Sequence, residues 1–467
     1  MTEKREPSRA KQSSIFLNIL ITCIATTMMS TALATALPPI ISDLNISVNT
    51  AQWLSSGYYL CMGIMVPVSA FLISRFPTKK LYLSVLGIFI VGLFLCLIAT
   101  NFPIMMLGRI LQAGANGVLS PLGQVVLLTI YPPEKKGTIM GWYGLSLGAA
   151  PVLAPTIAGV LVDTMGWRMV FVLPLIIMLV SFSVAVFIFG NVMETQCVPF
   201  HTISFLSCLL TFGGITFGIG NIGTYPFFST WIALPLLIGL AAGVFFIYRQ
   251  LHEAQPFLEL RTFKNRHFTM SVIGSMTLYI TTMSSIVLLP LYVQNIQGYS
   301  ATISGLVTLP GSLAMAIISP IAGKIYGKIG MKRILLIGTL CLLLSNFGMY
   351  FITLTSPIWI SALFNVFRQA AVGCLLMTFV TWGTEHLQQN YVSHGTVLLT
   401  SLRTIAGSAG MSVSVGIMTL IAEKHSELSA QSANLQGLNA TFFVLGITNL
   451  ALLIIAILVM LEKKKKC

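Results

Sequence analysis

Pro67-Val-Ser-Ala-Phe-Leu-Ile-Ser-Arg-Phe-Pro-Thr-Lys-Lys80 aligns without a gap with Pro320-Ile-Ala-Gly-Lys-Ile-Tyr-Gly-Lys-Ile-Gly-Met-Lys-Arg333. Each stretch ends a long apolar run at a pair of cations. A duplicated boundary of this kind points to a chain built from two related halves, the arrangement of many secondary transporters. A second echo pairs Arg109 and Gln112 with Arg368 and Gln369, in the fourth and twelfth apolar runs.

Working outward, fourteen runs of about twenty apolar residues fall at 15–40, 51–74, 81–99, 103–130, 138–162, 169–192, 202–222, 230–250, 268–294, 302–326, 334–354, 358–382, 394–422 and 439–461. Each is long enough to cross a hydrocarbon layer of ~30 Å as a helix. Apolar residues make up 56% of the chain and charged ones 8%, and the mean hydropathy is +0.89. A water-soluble fold with a polar surface is excluded.

An even number of spans puts both termini on one side, and Lys and Arg give the orientation, because basic loops stay cytoplasmic. With the N-terminus inside, Lys4, Arg5, Arg9, Lys11, Arg75, Lys79, Lys80, Lys135, Lys136, Arg249, Arg261, Lys264, Arg266, Lys324, Lys328, Lys332, Arg333 and Lys463 to Lys466 are cytoplasmic, 21 of the 26 basic residues. Only Arg168 and Lys424 fall outside. Arg109, Arg368 and Arg403 lie within spans. The closing lysines suit contact with anionic lipid headgroups or a plain stop-transfer anchor.

The net charge of +14 follows from this topology, so nucleic acid is not an expected partner. No cysteine sits in an external loop, so no disulfide framework is expected. The six histidines lack metal-ligand spacing, and no phosphate-binding glycine-rich loop is present. The chain therefore reads as neither an enzyme nor an ATP-driven pump. The polar N-terminus runs into the first span without a small-residue cleavage site, so no removable signal is expected.

In span five, Gly137, Gly141, Gly144, Gly148, Pro151, Pro155 and Gly159 form a stripe of small and helix-bending residues. Such a stripe admits another helix closely and permits a bend. Gly323, Gly327 and Gly330 stand among Lys328, Lys332 and Arg333, opposite Arg75 and Lys79 of the repeat. A cytoplasmic gating loop whose cations bind helix-end carbonyls or carboxylates is one reading, and topology-setting charge is the other.

All these residues, with Leu37-Pro38-Pro39-Ile40, Trp53, Arg109-Ile-Leu-Gln112, Trp167-Arg168, Leu289-Pro-Leu-Tyr-Val-Gln294 and His394-Gly-Thr396, make the chain resemble the major facilitator superfamily. Pro256-Phe-Leu-Glu-Leu-Arg-Thr-Phe263 resembles its fourteen-span drug:proton antiporters. That resemblance implies an all-α membrane protein of the major-facilitator-type fold, two six-helix bundles plus two extra central transmembrane helices. The expected division is a cytoplasmic N-terminus at 1–14, a bundle at 15–192, two linker helices and a linker at 193–267, a second bundle at 268–461 and a basic tail at 462–467.

The chain departs from the family's pattern at Ala70, Ser74 and Pro77 of the first cytoplasmic motif, at Ala154 and Ala158 of span five, and at the end of span one. Where the family usually has an acidic residue in span one, Met29 stands here, and all twelve acids map to loops or span ends. An ionised group inside a membrane is costly unless it faces a cavity or a partner. Arg109, Gln112, Arg368, Gln369 and Arg403 are therefore expected to line or gate the substrate cavity, unless they bond helix carbonyls and glutamines structurally, and the resemblance ties the Arg109 motif to proton coupling. Asp163 and Glu385, at span ends, are the nearest titrating partners. A cavity with cations and no anion should disfavour lipophilic cations.

The expected activity is export of drugs or amphiphilic small molecules by alternating access, with the proton gradient as energy source and no cofactor. Export of one physiological anion, a lipid or a nucleotide-like signal is the alternative within transport; a membrane sensor or scaffold is the alternative outside it. Expected partners are the substrate, protons and membrane lipids, with the monomer as the working unit.

Overall fold

The computed structural model describes residues 9–46, 48–193, 202–220, 229–253, 256, 258–299, 301–425, 427 and 429–461. Fourteen α-helices and no strand are found among them. In chain order these are α1 (Arg9–Leu44), α2 (Val48–Arg75), α3 (Thr78–Leu97), α4 (Phe102–Ile130), α5 (Pro133–Met165), α6 (Met169–Ile188), α7 (Thr202–Gly220), α8 (Thr230–His252), α9 (Arg266–Leu291), α10 (Ala301–Ile329), α11 (Met331–Tyr350), α12 (Ile358–Glu385), α13 (Val392–Lys424) and α14 (Ala430–Leu461).

Among the described residues, thirteen stretches are long and apolar enough to cross a bilayer. In hydrocarbon a helix satisfies its backbone polar groups internally, so the chain is a multi-pass membrane protein. α5 is not among the thirteen. Its Gly137, Gly141 and Gly144 face other helices.

Local chemistry sets the helix ends. Asn101 caps α4 by accepting from the Ile104 N–H at 3.0 Å, and Asn265 caps α9 by accepting from His267 and Phe268, in the way short polar side chains satisfy first-turn donors. α5 stops at Gly166 and α11 starts after Gly330, with φ of 89° and 71°, a region open to glycine at little cost.

One expected loop is helix instead. The Ser-, Gln- and Asn-rich stretch at 423–438 contains the first turns of α14, which begins at Ala430. The Ser429 hydroxyl accepts from the Ser432 N–H and its carbonyl from Ala433. Buried Ala433, Gly437, Leu438, Thr441 and Phe442 recur at helical spacing. Averaged hydropathy conceals such a stripe because the opposite face is polar.

α1 to α6 pack among themselves, as do α9 to α14. In the first set, the Asn18 amide donates to the Ser181 carbonyl at 3.0 Å, and the Tyr82 hydroxyl donates to Asn18 Oδ1 at 2.8 Å. Thr22 adds a hydroxyl contact to Ser181 at 2.9 Å, so α1, α3 and α6 share one buried polar knot. In the second set, Thr281 donates to Asn449 Oδ1 at 3.0 Å and Ser414 to Ser284 at 2.9 Å. Lipid supplies no hydrophobic drive between helices, so such bonds and close packing hold each set together.

The sets meet where α5 packs on α10 and α12, and where α2 and α4 pack on α13. α7 lies against α2 and α13, with α8 along α7. The linker then ties back to this hairpin: the Leu258 N–H donates to Gln250 Oε1, and Arg261 reaches the Leu251 and Glu253 carbonyls.

Candidate functional site

α5 and α10 meet through glycine. A methyl group on Gly137 would come 2.7 Å from the Gly323 carbonyl oxygen, and one on Gly141 would come 2.6 Å from that of Ser319. One on Gly144 would meet the Ser319 hydroxyl and Met377. Ser319 donates to the Gly141 carbonyl at 2.8 Å. Only residues without a side chain allow backbones this close. Gly327, one turn on, is looser, with 3.6 Å to the Glu134 carbonyl. For Gly148, Pro151, Pro155 and Gly159 the side-chain positions lie outside the described residues. On α13, by contrast, Gly407 and Gly410 lie against Tyr279 and Ile280 of α9. They pack within their own set.

Polar groups close the basic end of this seam. Tyr326 of α10 donates to the Glu385 carboxylate at the end of α12. Lys136 of α5, from the other set, is half-buried there. Burial pulls its amine below the ordinary lysine value, and the Glu385 charge partly offsets that pull. His267 and His386 stack beside this group at 4.3 Å. Glu385→Gln removes the offsetting charge, so the Lys136 amine is expected to titrate lower still. NMR of the dimethylated lysine checks this, and an unmoved titration would show that the two groups do not communicate.

Of the expected gating residues, Arg75 lies 5.9 Å from the Phe71 ring, and the Lys79 N–H donates to Asn191. Lys328 and Arg333 are exposed. Lys332 donates to the Met460 carbonyl in the last turn of α14 at 3.3 Å. That contact is inside the second set and does not cross the seam.

The three span arginines are all buried, yet their surroundings differ. Arg109 donates through Nε to the Leu54 carbonyl at 3.1 Å, and through Nη1 to Met29 O at 3.3 Å and Gln112 Oε1 at 3.0 Å. Its guanidinium stacks 4.1 Å from the Tyr58 ring. Gln112 passes the chain on to the Gly92 carbonyl at 3.0 Å. Met29, which stands where the family has its acid, thus meets Arg109 through its backbone. Arg368 has no hydrogen-bond partner on any nitrogen and lies 5.4 Å from the Phe442 ring of α14. Gln369 turns to Gly311 instead, so the Arg109–Gln112 pairing has no counterpart there.

Arg403 of α13 has Nε and Nη1 unpartnered and lies 5.5 Å from the Tyr279 ring of α9. Tyr143 of α5 is its other electrostatic neighbour. Tyr59 of α2 interacts in turn with both Arg109 and Tyr279. Arg403 and Tyr279 of the second set thus have Tyr143 and Tyr59 of the first as neighbours across the seam, while Arg109 bonds inside its own set. Among the described residues every acidic position is at or beyond a helix end.

At the face opposite the basic one, Asp43 accepts from Arg168 at 2.9 Å and from the Trp167 indole at 3.1 Å. Arg168 also donates to the Ala99 carbonyl. This joins the ends of α1, α3 and α5. The side chain of Asp163 lies outside the described residues. Half-exposed ion pairs contribute about 1 kcal/mol or less, so Asp43→Ala is expected to lower the unfolding midpoint slightly and leave transport rates near normal. A collapse of transport would mean that this corner moves in the cycle.

Sequence reading missed Tyr59, Tyr143, Tyr279, Tyr326 and Ser319. The available signal was a hydroxyl in a span beside a glycine stripe or an arginine.

The profile of the Major Facilitator Superfamily matches residues 19–199 and 248–411. The interval between the two segments holds α7 and most of α8. Lincomycin resistance protein LmrB of Bacillus subtilis (strain 168) is 31% identical over 433 residues, covering 89% of this chain and 88% of that protein. Multidrug export protein EmrB of Escherichia coli (strain K12) is 25% identical over 416 residues, covering 87% and 80%. The solved structure of the proton:xylose symporter XylE bound to 6-bromo-6-deoxy-D-glucose superposes with a TM-score of 0.65 at 14% identity, covering 96% of this chain and 95% of that one. At that identity the likeness speaks for the fold.

Proposed function

Because the chain belongs to the Major Facilitator Superfamily, we propose that it is a proton-coupled secondary exporter of drugs or amphiphilic small molecules, working by alternating access in the cell membrane. It is a transporter and not an enzyme. The observation that carries the reading is the seam itself. The buried Arg403, with Tyr279, Tyr143 and Tyr59 around it, lies where the two helix sets meet, beside a glycine contact along which the sets can part as rigid bodies. The relatives named for lincomycin resistance and multidrug export support a drug as cargo.

In this reading both termini and the basic face are cytoplasmic, so the α5–α10 contact closes the inner mouth. The first set carries residues 15–192, the second 268–461, and 193–267 links them. The monomer is the working unit, lipid touches the outer helices, and the energy comes from protons. Glu385, with Tyr326 and Lys136 around it, and Asp163 are the proton-coupling candidates, since no acid among the described residues occupies mid-helix. Whether coupling exists is tested with purified protein in vesicles holding an internal pH dye under an imposed pH gradient. Adding drug is expected to evoke proton movement. Drug transport that leaves internal pH untouched contradicts coupling, and no transport at all contradicts export.

A further inference from the structure

Arg109 and Arg403 are both buried, but Arg109 is held through Nε and Nη1 by two carbonyls and Gln112 and lies on the Tyr58 face, with Nη2 alone unpartnered. Arg403, 3% exposed, has two guanidinium nitrogens without any acceptor. A guanidinium held in an apolar interior without a counter-charge is unfavourable and calls for an anion. No carboxylate among the described residues is placed to supply one.

Further donors gather at the same level. α9 and α13 run parallel, with their register set by Gly407 against Tyr279 and by the Ser414–Ser284 contact. That register puts Arg403 near the level of Ser275, one turn before Tyr279. The Ser275 hydroxyl and the Thr400 hydroxyl, one turn from Arg403 on α13, are buried and unpartnered as well. Across the seam stands Tyr143 of the first set. The group presents one fixed cation, two unpartnered hydroxyls and aromatic faces, the Tyr143 hydroxyl being engaged with the Ser120 carbonyl.

We infer that Arg403 receives the anionic group, carboxylate or phosphate, of an exported amphiphile, with Ser275 and Thr400 as neighbouring donors and the rings of Tyr279 and Tyr143 flanking its apolar part. This rests on the export reading. Planar, bidentate recognition of an oxyanion suits guanidinium, and a cationic amphiphile of the same shape meets repulsion. Arg109, bonded through Nε and Nη1 inside its own set, is a positioning residue there.

The test uses two probes that differ only in charge, 4-(1-pyrenyl)butyrate and 4-(1-pyrenyl)butylamine, in vesicles under a pH gradient with Hoechst 33342 as a reference drug. Wild type is expected to prefer the carboxylate. Arg403→Gln should lower the carboxylate-to-amine ratio by about tenfold or more, the loss expected for a charge-assisted hydrogen bond, and Arg403→Lys should retain part of it. Fluorescence titration of the detergent-purified protein with the butyrate should show the same order of affinities. An unchanged ratio in Arg403→Gln, or a wild-type preference for the amine while Hoechst efflux persists, overturns the inference and leaves the export reading intact. If no compound moves, the export reading fails, and the titration alone decides whether Arg403 binds the anion.

Discussion

Leucine at position 323 is expected to abolish drug efflux, by tenfold or more, in protein that inserts and accumulates normally. A Cβ on Gly323 would sit on the Gly137 carbonyl oxygen and against the Gly141 backbone. Neither neighbour is a flexible side chain, so α5 and α10 must separate, and the seam cannot close on the basic face. Gly327→Ala is the control: one turn away, its methyl would find ordinary contact at 3.6 Å, and efflux should stay within about twofold of wild type. The pair separates contact geometry from glycine content. Normal efflux in Gly323→Leu would mean that closure at this contact is not part of the cycle.

Arg109→Lys is expected to lose both stability and transport, although the charge is kept. One ammonium cannot reach the Leu54 and Met29 carbonyls and Gln112 together, nor stack on Tyr58 as a plane does. With buried acceptors left unmatched, the cost is roughly 2–4 kcal/mol, read as a fall in the thermal unfolding midpoint of the purified protein and as efflux near background. If the positive charge were all that mattered, lysine would restore function. Full activity in Arg109→Lys would return this residue to the proton-coupling role that the family resemblance implies and remove it from the architecture of α1, α2 and α4.

Much of the fold was legible because hydrocarbon imposes a simple rule on the chain: each span needs about twenty apolar residues, and the cations collect at one face. The 430–438 stretch escaped because its buried Ala433 and Leu438 alternate with polar residues, and a mean over the window cancels them. The site was less legible. Three arginines in spans look alike in a sequence, and the likeness of Arg109-Ile-Leu-Gln112 to Arg368-Gln369 suggested equivalent roles. Packing separates them: Arg109 turns into α1 and α2, Arg368 toward Phe442 of α14, and Arg403 toward Tyr279 and the other set. Which way a long side chain turns depends on neighbours hundreds of residues away. The glycines show the same limit. Those of α5 line the seam and those of α13 do not, because α13 presents Gly407 and Gly410 to α9.

The chemistry of the basic end is another case. Lys136 and Glu385 are 249 positions apart; Lys136 alone reads as a loop charge that sets topology, and Glu385 as a titrating candidate with no visible partner. Tyr326 bonds Glu385, whose charge reaches Lys136 of the other set, so this group is expected to loosen when α5 moves away from α10 and α12.

Nitroxide-bearing non-canonical residues at the exposed positions 135 and 328 would report the distance between the basic ends of α5 and α10 in lipid nanodiscs. The account predicts two distance populations, a short one corresponding to the Gly137–Gly323 contact and a longer one, with their ratio shifted by drug and by pH. A single short distance, unchanged by drug and pH in protein that transports in vesicles, would contradict it.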